Sequence, residues 1–308
     1  MPKPKRRKSG GRSRPSRLPI AAIAVVLVIV GLIIYGCSAI KHQISGYFGA
    51  GNKEHAATSQ SPTTTEASPT AQSPQPETSP SASVLPENTG PKVAIIIDDC
   101  GYNEERCKLF LQLPIPITLS ILPMTKYGKQ IEADALAAGK SVMLHLPMEP
   151  DSPQFNPGAG AITTEMTDEQ VQAQVEADLN SLPEAPGANN HMGSKATSDA
   201  RVMRDVLTVL QKRHMFFIDS QTSGSTVGES TARELGIPTA ERDVFLDNQK
   251  DLPYIRGQLK QLQDLALKRG SAIAIGHPFE STAQALSEAI PQMQSAGIIF
   301  VTAESLVK

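Results

Sequence analysis

Four apolar runs in this chain end abruptly at polar residues able to do chemistry. Ile95-Ile96-Ile97 stops at Asp98-Asp99, Val142-Met143-Leu144 at His145, Met215-Phe216-Phe217-Ile218 at Asp219-Ser220, and Ala272-Ile273-Ala274-Ile275 at Gly276-His277. A strand with one wet face alternates apolar and polar residues, whereas a strand covered on both faces is apolar throughout. The runs therefore predict a parallel sheet flanked by helices. In such sheets the chemistry collects at the carboxyl ends of the strands. The four polar stops then belong to one site rather than to four unrelated turns.

Strands are predicted at 92–97, 117–122, 141–145, 215–219, 237–240, 271–276 and 298–302, with a short, less apolar one near 187–191. Helical stretches fall between them, at 126–139, 168–181, 199–213, 252–269 and 281–296. Thr167 and Gln170 have the spacing of a capping box at one helix start, and Gly270 and Gly297 end two others as C-terminal glycines do. Strand-helix alternation means α/β. The fold class expected is a closed or nearly closed (β/α) barrel of about seven parallel strands; an open doubly wound sheet is the alternative. Residues 147–166 carry four prolines, at 147, 150, 153 and 157. They are expected to form a long loop at a strand's carboxyl end, where loops are often functional.

The region before residue 91 reads differently. Residues 1–18 carry Lys3, Lys5, Arg6, Arg7, Lys8, Arg12, Arg14 and Arg17 and no acid, and 19–40 are apolar and uncharged. About 20 such residues span a bilayer core, and a basic flank stays in the cytoplasm. We expect a basic cytoplasmic tail and a single-pass transmembrane anchor. The rest of the protein then lies outside the cytoplasm, in a periplasm or outside the cell. A cleaved signal peptide and lipidation at Cys37 are the alternatives. Residues 41–90 are rich in Ser, Thr, Pro and Ala, cannot bury enough surface to order themselves, and read as a disordered spacer.

Residues 91–308 suit one domain. Of the 29 Lys+Arg, 10 precede residue 91, and of the 31 Asp+Glu, four do, so the domain carries about −8. That excludes nucleic acid as a partner, which wants a basic face; the basic tail suits anionic lipid. Cys100 and Cys107 are expected to be two buried thiols, with a disulfide as the alternative.

Two adjacent carboxylates at the end of a buried strand repel, so either one pKa rises or a cation neutralises them. A cation would take one as ligand and leave the other as a base. His145 and His191 also open loops, and an Asp with two His is a common catalytic ligand set with positions left for water and substrate. Asn189, Asn190 and Ser194 are placed to orient these histidines. Asp219 and Asp247 end strands too, with turn and cap roles the plain alternative. A Ser-His-Asp reading of Ser220 lacks the glycine elbow it needs. The paired acids also occur in response-regulator receiver domains, but that fold needs an Asp where this chain has His145. His277, between Gly276 and Pro278, is a candidate general acid.

Six short motifs in order now carry a resemblance: Ile-Asp-Asp-x-Gly at 97–101, His-Leu-Pro-Met-Glu-Pro at 145–150, Asn-Asn-His-Met-Gly-Ser at 189–194, Phe-Ile-Asp-Ser at 217–220, Asp-Val-Phe-Leu-Asp at 243–247 and Ile-Gly-His-Pro at 275–278. Over residues 91 to 305 the chain resembles the divergent polysaccharide deacetylase family, relatives of the larger polysaccharide deacetylases with their distorted (β/α) barrel. The resemblance implies metal-dependent removal of acetyl groups from an N-acetylated envelope or wall glycan of the peptidoglycan type, with a divalent metal, Zn²⁺ by choice. Asp98 would be the base, Asp99 a metal ligand, His191 the first histidine of a His-x-x-x-His motif and His277 the general acid. The second motif histidine falls on Lys195, which as an ammonium cannot ligate; we read His145 as its substitute. Asn189, Asn190, Ser194, Asp219 and Asp247 would contact substrate or support the ligands. A module that keeps this fold without turnover, binding glycan or an envelope protein, is the alternative function.

Overall fold

The protein's structure, a computed structural model, describes residues 89–308. The tail, anchor and spacer expected before them lie outside the described residues. Among the described residues no helix is long and apolar enough to cross a membrane.

Nine strands form one sheet: β1 (Lys92–Cys100), β2 (Thr118–Ile121), β3 (Ser141–Met148), β4 (Gly187–Met192), β5 (Phe216–Asp219), β6 (Thr239–Glu241), β7 (Val244–Phe245), β8 (Ser271–Gly276) and β9 (Ile299–Val301). Seven helices accompany them: α1 (Glu104–Leu111), α2 (Gly128–Ala137), α3 (Asp168–Ser181), α4 (Ala200–Lys212), α5 (Gly228–Glu234), α6 (Leu252–Arg269) and α7 (Glu280–Ser295). The order is β6-β5-β4-β3-β2-β1-β8-β7, and every pairing is parallel. β9 pairs with Lys92–Ala94 of β1, and β2 with β1 from Ile96 onward. No ladder joins β6 to β7. Instead the chain passes from one to the other in two residues: Arg242 N–H donates to Asp219 O of β5, and Asp243 N–H to Ile273 O of β8. The result is a parallel α/β half-barrel, the coarse form of the barrel expected.

The helices start and stop for local reasons. Thr167 and Gln170 make the capping box of α3 in full. Asp199 caps α4, accepting from the N–H groups of Arg201 and Val202, and such a cap contributes about 1 kcal/mol. α4 buries Val202, Met203, Val206, Leu207, Val209 and Leu210 as one stripe. Gly270 ends α6 at φ +86°, a conformation a Cβ disfavours.

Sequence patterns missed α1 and α5, which are short, and split β6 and β7 poorly, because strands of three and two residues carry no periodicity. β3 also runs further than expected. It passes Pro147 to Met148, which bridges to Ile162, so the long loop is 149–166. Pro147 is tolerated there because β2 has ended at Ile121, opposite Leu144. Cys100 and Cys107 are free, buried thiols.

Side chains alternate across the sheet. Ala94, Ile96, Met143, Phe216, Ile218, Ile273 and Ile275 fill the inner face, closed at the amino end by Ala303 of the C-terminal segment. Val93, Ile95, Ile97 and their neighbours face the helices. One step further along the inner face of β1, β3, β5 and β8 stand Asp98, His145, Ser220 and His277. The pleat that packs the interior also delivers the chemistry to one end.

Candidate metal centre and catalytic groups

Asp98 continues the inner face of β1 and is 4% exposed. On a straight strand Asp99 would point the other way. The register shows why it does not: Ile97 pairs with Leu119 and Cys100 with Ile121, so β1 carries one extra residue here, a bulge. Asp99 sits at φ +56°, costing about 1–2 kcal/mol for a residue with a Cβ. The bulge turns its carboxylate back toward His145 and His191. Gly101 follows at φ +132°, and a Cβ on it would lie 2.3 Å from Thr125 Oγ1. Met192, the last residue of β4, and Met124 and Gln221, beyond the ends of β2 and β5, also have positive φ, so backbone strain gathers at this rim.

Asp99 Oδ1 lies 3.0 Å from His191 Nδ1 and 3.3 Å from His145 Nε2, and those two nitrogens are 3.1 Å apart. The surroundings decide which nitrogen of His145 holds the proton. Ser120 Oγ donates to Asn189 Oδ1 at 2.6 Å, and Asn189 Nδ2 donates to Asp98 Oδ1 at 2.8 Å, which sets the amide's orientation. Asn189 Oδ1 therefore accepts from His145 Nδ1 at 2.8 Å. In the neutral ring Nε2 then carries only a lone pair. Asp99 Oδ1 is buried and has no well-formed hydrogen bond. Asp99 Oδ1, His145 Nε2 and His191 Nδ1 thus converge within 4.8 Å of one another, one ligand atom from each of an Asp and two His. The donor set fits a divalent ion.

His277 stands opposite. Its Nδ1 donates to Asp247 Oδ1 at 2.8 Å, and its backbone N–H and Thr282 Oγ1 both donate to Asp247 Oδ2. The ring packs between Phe245 and Phe279, at 5.2 and 5.7 Å. That leaves Nε2 free, 3.7 Å from Asp99 Oδ2. Burial opposes charge on His277, but the bond and charge of Asp247 outweigh it and lift the ring to about 8. Burial pushes the Asp98 carboxyl up, against the pull of His145 and His277. Burial acts the same way on Asp99, yet His145 and His191 beside it hold it well below the usual carboxylate range. Two adjacent acids are thereby driven apart, one toward a base and one toward a permanent anion.

Residues 95–307 match the family model described as "Divergent polysaccharide deacetylase". The chain belongs to the divergent polysaccharide deacetylase family. The chain is similar to an uncharacterised protein of Haemophilus influenzae, 37% identical over 191 residues, covering 62% of this chain and 68% of that protein. The uncharacterised protein YibQ of Escherichia coli K12 is 35% identical over 216 residues, 70% of this chain and 67% of YibQ. An uncharacterised protein of Agrobacterium tumefaciens C58 shares the fold, with a TM-score of 0.68 at 23% identity over 71% of this chain and 89% of that one.

In this member of the family the structure brings Asp98, Asp99, His145, His191, Asn189, His277 and Asp247 to one end of the sheet. It places three other predicted residues elsewhere. Asp219 alternates outward with Phe217, and its Oδ2 accepts from Thr226 Oγ1 and from Glu229 N–H in the first turn of α5. Asn190 bonds Thr222 Oγ1, Met192 O and Ser220 N–H, bracing the rim loops. Ser194 Oγ accepts from Asp151 N–H of the 149–166 loop. Lys195, at the motif's second histidine, is turned to Glu149 Oε1 at 2.7 Å, while Glu149 Oε2 accepts from Thr164. Sequence reasoning missed Ser120 and Thr282, the buried hydroxyls behind His145 and His277. Ser120 had a signal: with Thr118 it alternates against Leu119 and Ile121, which puts it on the inner face.

Proposed function

We propose that residues 91–308 form a metal-dependent hydrolase that removes acetyl groups from an N-acetylated envelope or wall polysaccharide. The observation that carries this reading is the convergence of Asp99 Oδ1, His145 Nε2 and His191 Nδ1 between a buried Asp98 and the His277–Asp247 pair. Asp99, His145 and His191 would hold the ion, and Zn²⁺ suits such an O/N set. When bound, it supplies Lewis-acid polarisation of the acetyl carbonyl. Asp98, its pKa raised by burial, takes the proton of the attacking water. Asn189 keeps the Asp98 carboxylate aimed and the His145 proton on Nδ1. His277, held protonated by Asp247, gives its Nε2 proton to the sugar nitrogen as the C–N bond breaks. One water is consumed, and the products are acetate and a free amine. The anchor predicted at 19–40 would hold this chemistry outside the cytoplasm, facing the glycan.

The non-catalytic module is the second reading, and Lys195 in the motif's second histidine position favours it. Against it, a binding module needs neither the raised Asp98 nor the Asp247-bound His277. Acetate release from N-acetylated glycan oligomers by the zinc-loaded full chain, beside Asp98→Asn, tests the choice. Release lost in the variant supports the hydrolase. No release by the wild type from any oligomer, with metal bound, moves the reading to the module.

A further inference from the structure

Beside His277 lies a recess, and a cation in it has hydrogen-bond donors left unused. The cleft, about 520 Å³, is bounded by Ser220, Arg242, Phe245, Asn248, Tyr254 and Gln258. It shares a wall with the catalytic groups, because Phe245 lines it and packs 5.2 Å from the His277 ring. Asn248 follows Asp247 directly, so whatever occupies the cleft sits next to the proposed acid.

Arg242 is half-buried. Its Nε and Nη2 donate to the carbonyl oxygens of Ser220 and Gln221 at 2.7 and 2.9 Å, and its guanidinium lies 5.1 Å from the Phe245 ring centre. Those bonds spread one edge of the fork without neutralising it. Nη1 has no hydrogen bond, and among the described residues Arg242 makes no contact ion pair, although Asp98, Asp219 and Asp243 attract it from further off. The nearby acid of the cleft, Asp243, is already taken: Oδ1 by Arg269 at 3.0 Å and Oδ2 by Ile273 N–H at 2.9 Å. A guanidinium cannot lose its proton in this setting, so the charge stays and the unused donors want an anion. Ser220 adds an independent sign. It is 4% exposed, lines the same cleft, and its buried Oγ has no hydrogen-bond partner. An orphaned hydroxyl and a guanidinium with an unused Nη1 thus border one cleft, and a planar carboxylate accepts from both kinds of donor.

We propose that this cleft receives a carboxylate-bearing sugar next to the acetylated one, so that the substrate is an acidic N-acetylated glycan. The inference rests on the deacetylase reading for the neighbouring subsite and deepens it. Since the domain as a whole is about −8, recognition of an acidic polymer has to be local, and Arg242 is where it is local.

The test measures binding by calorimetry to the full chain in an Asp98→Asn background, which blocks turnover. The probes are an N-acetylated oligosaccharide with an adjacent uronate and the same oligosaccharide with that carboxyl reduced to an alcohol. We expect the uronate form to bind about tenfold or more tightly, as a charge-assisted bond predicts, and the preference to shrink with salt. Arg242→Gln should abolish the preference while leaving affinity for the neutral form within about threefold, well short of a full hydrogen bond's worth. A merely structural Arg242 would instead lower both affinities alike. If Arg242→Gln does not fold, Tyr254→Glu decides, since a carboxylate placed in the cleft should remove or invert the preference. Equal affinity for the two oligosaccharides, or a preference that survives both variants, overturns the inference. Failure of the deacetylase reading looks different: the wild type releases no acetate from either probe, whatever their binding.

Discussion

The carboxylates of Asp98 and Asp99 reach the same nitrogen, His145 Nε2, at 3.6 and 3.3 Å. Neighbours on a regular strand cannot do this, because successive side chains point to opposite faces. The bulge at the end of β1 makes it happen and gives each acid a different surrounding. Asp98→Asn should therefore keep its metal and lose at least about 10²-fold in kcat, the loss expected for a general base. Asp99→Asn should lose metal. Elemental analysis beside acetate release separates the two, and equal metal loss in both would contradict the division of roles.

Asn189 touches three groups of the centre at once. Removing it frees the His145 ring to take the other tautomer and leaves Asp98 without a donor. Asn189→Ala should weaken metal affinity by about 10- to 100-fold, as losing such supporting bonds does. Zinc competition with a chelator of known affinity reads this directly; an unchanged affinity would mean that the tautomer of His145 is set elsewhere.

Lys195 is the informative negative control. Its side chain is 43% exposed and its ammonium bound to Glu149, so the pair contributes at most about 1 kcal/mol. Lys195→Ala should keep full metal content and melt within a few degrees of wild type. Loss of metal in this variant would put Lys195 back at the centre.

Asp178 makes stability depend on pH. It is fully buried on α3 against Gly160, with Oδ1 accepting from Gln174 and Oδ2 without a partner. Burial pushes it up to about 7, with the Gln174 bond pulling the other way. A raised folded pKa means that its contribution is full below the unfolded value of 3.8 and is lost as pH rises through about 7. At pH 8 the buried charge costs on the order of a few kcal/mol. Asp178→Asn should be more stable than wild type in urea at pH 8, with the advantage mostly gone at pH 5. A constant difference across that range would show the carboxyl to be ionised throughout, as it is in the unfolded chain.

Gly101 lets the backbone leave the bulge. With φ at +132° and Thr125 Oγ1 where a Cβ would go, Gly101→Ala should cost about 1–3 kcal/mol of strain. It should also loosen metal binding by displacing Asp99. Thermal melts with and without zinc report both; a variant that melts like wild type would mean that the turn has slack.

The four strand ends were legible because both-face burial leaves a continuous apolar run, and the pleat then assigns Asp98, His145 and His277 to one face. What the sequence could not show was the bulge. It adds one residue without changing composition, and only the register with β2 reveals that Asp99 turns inward. β4 was faint for a related reason. Its Asn189, Asn190 and His191 are polar because they serve the site or its rim, so the strand lacks the apolar signature of its neighbours. Asp219 misled because an Asp that ends a strand can face either way, and here it belongs to the start of α5.

The passage from β6 to β7 has a consequence for how copies of this protein behave in a crowd. A sheet with unpaired rims invites other chains to add strands to it. Here the two rim strands are three and two residues long and belong to one continuous segment. Thr239 on one of them already exchanges both backbone bonds with Lys308. The rims are too short, and too occupied, to template aggregation. A domain of this build can be concentrated on a surface without its sheets joining edge to edge.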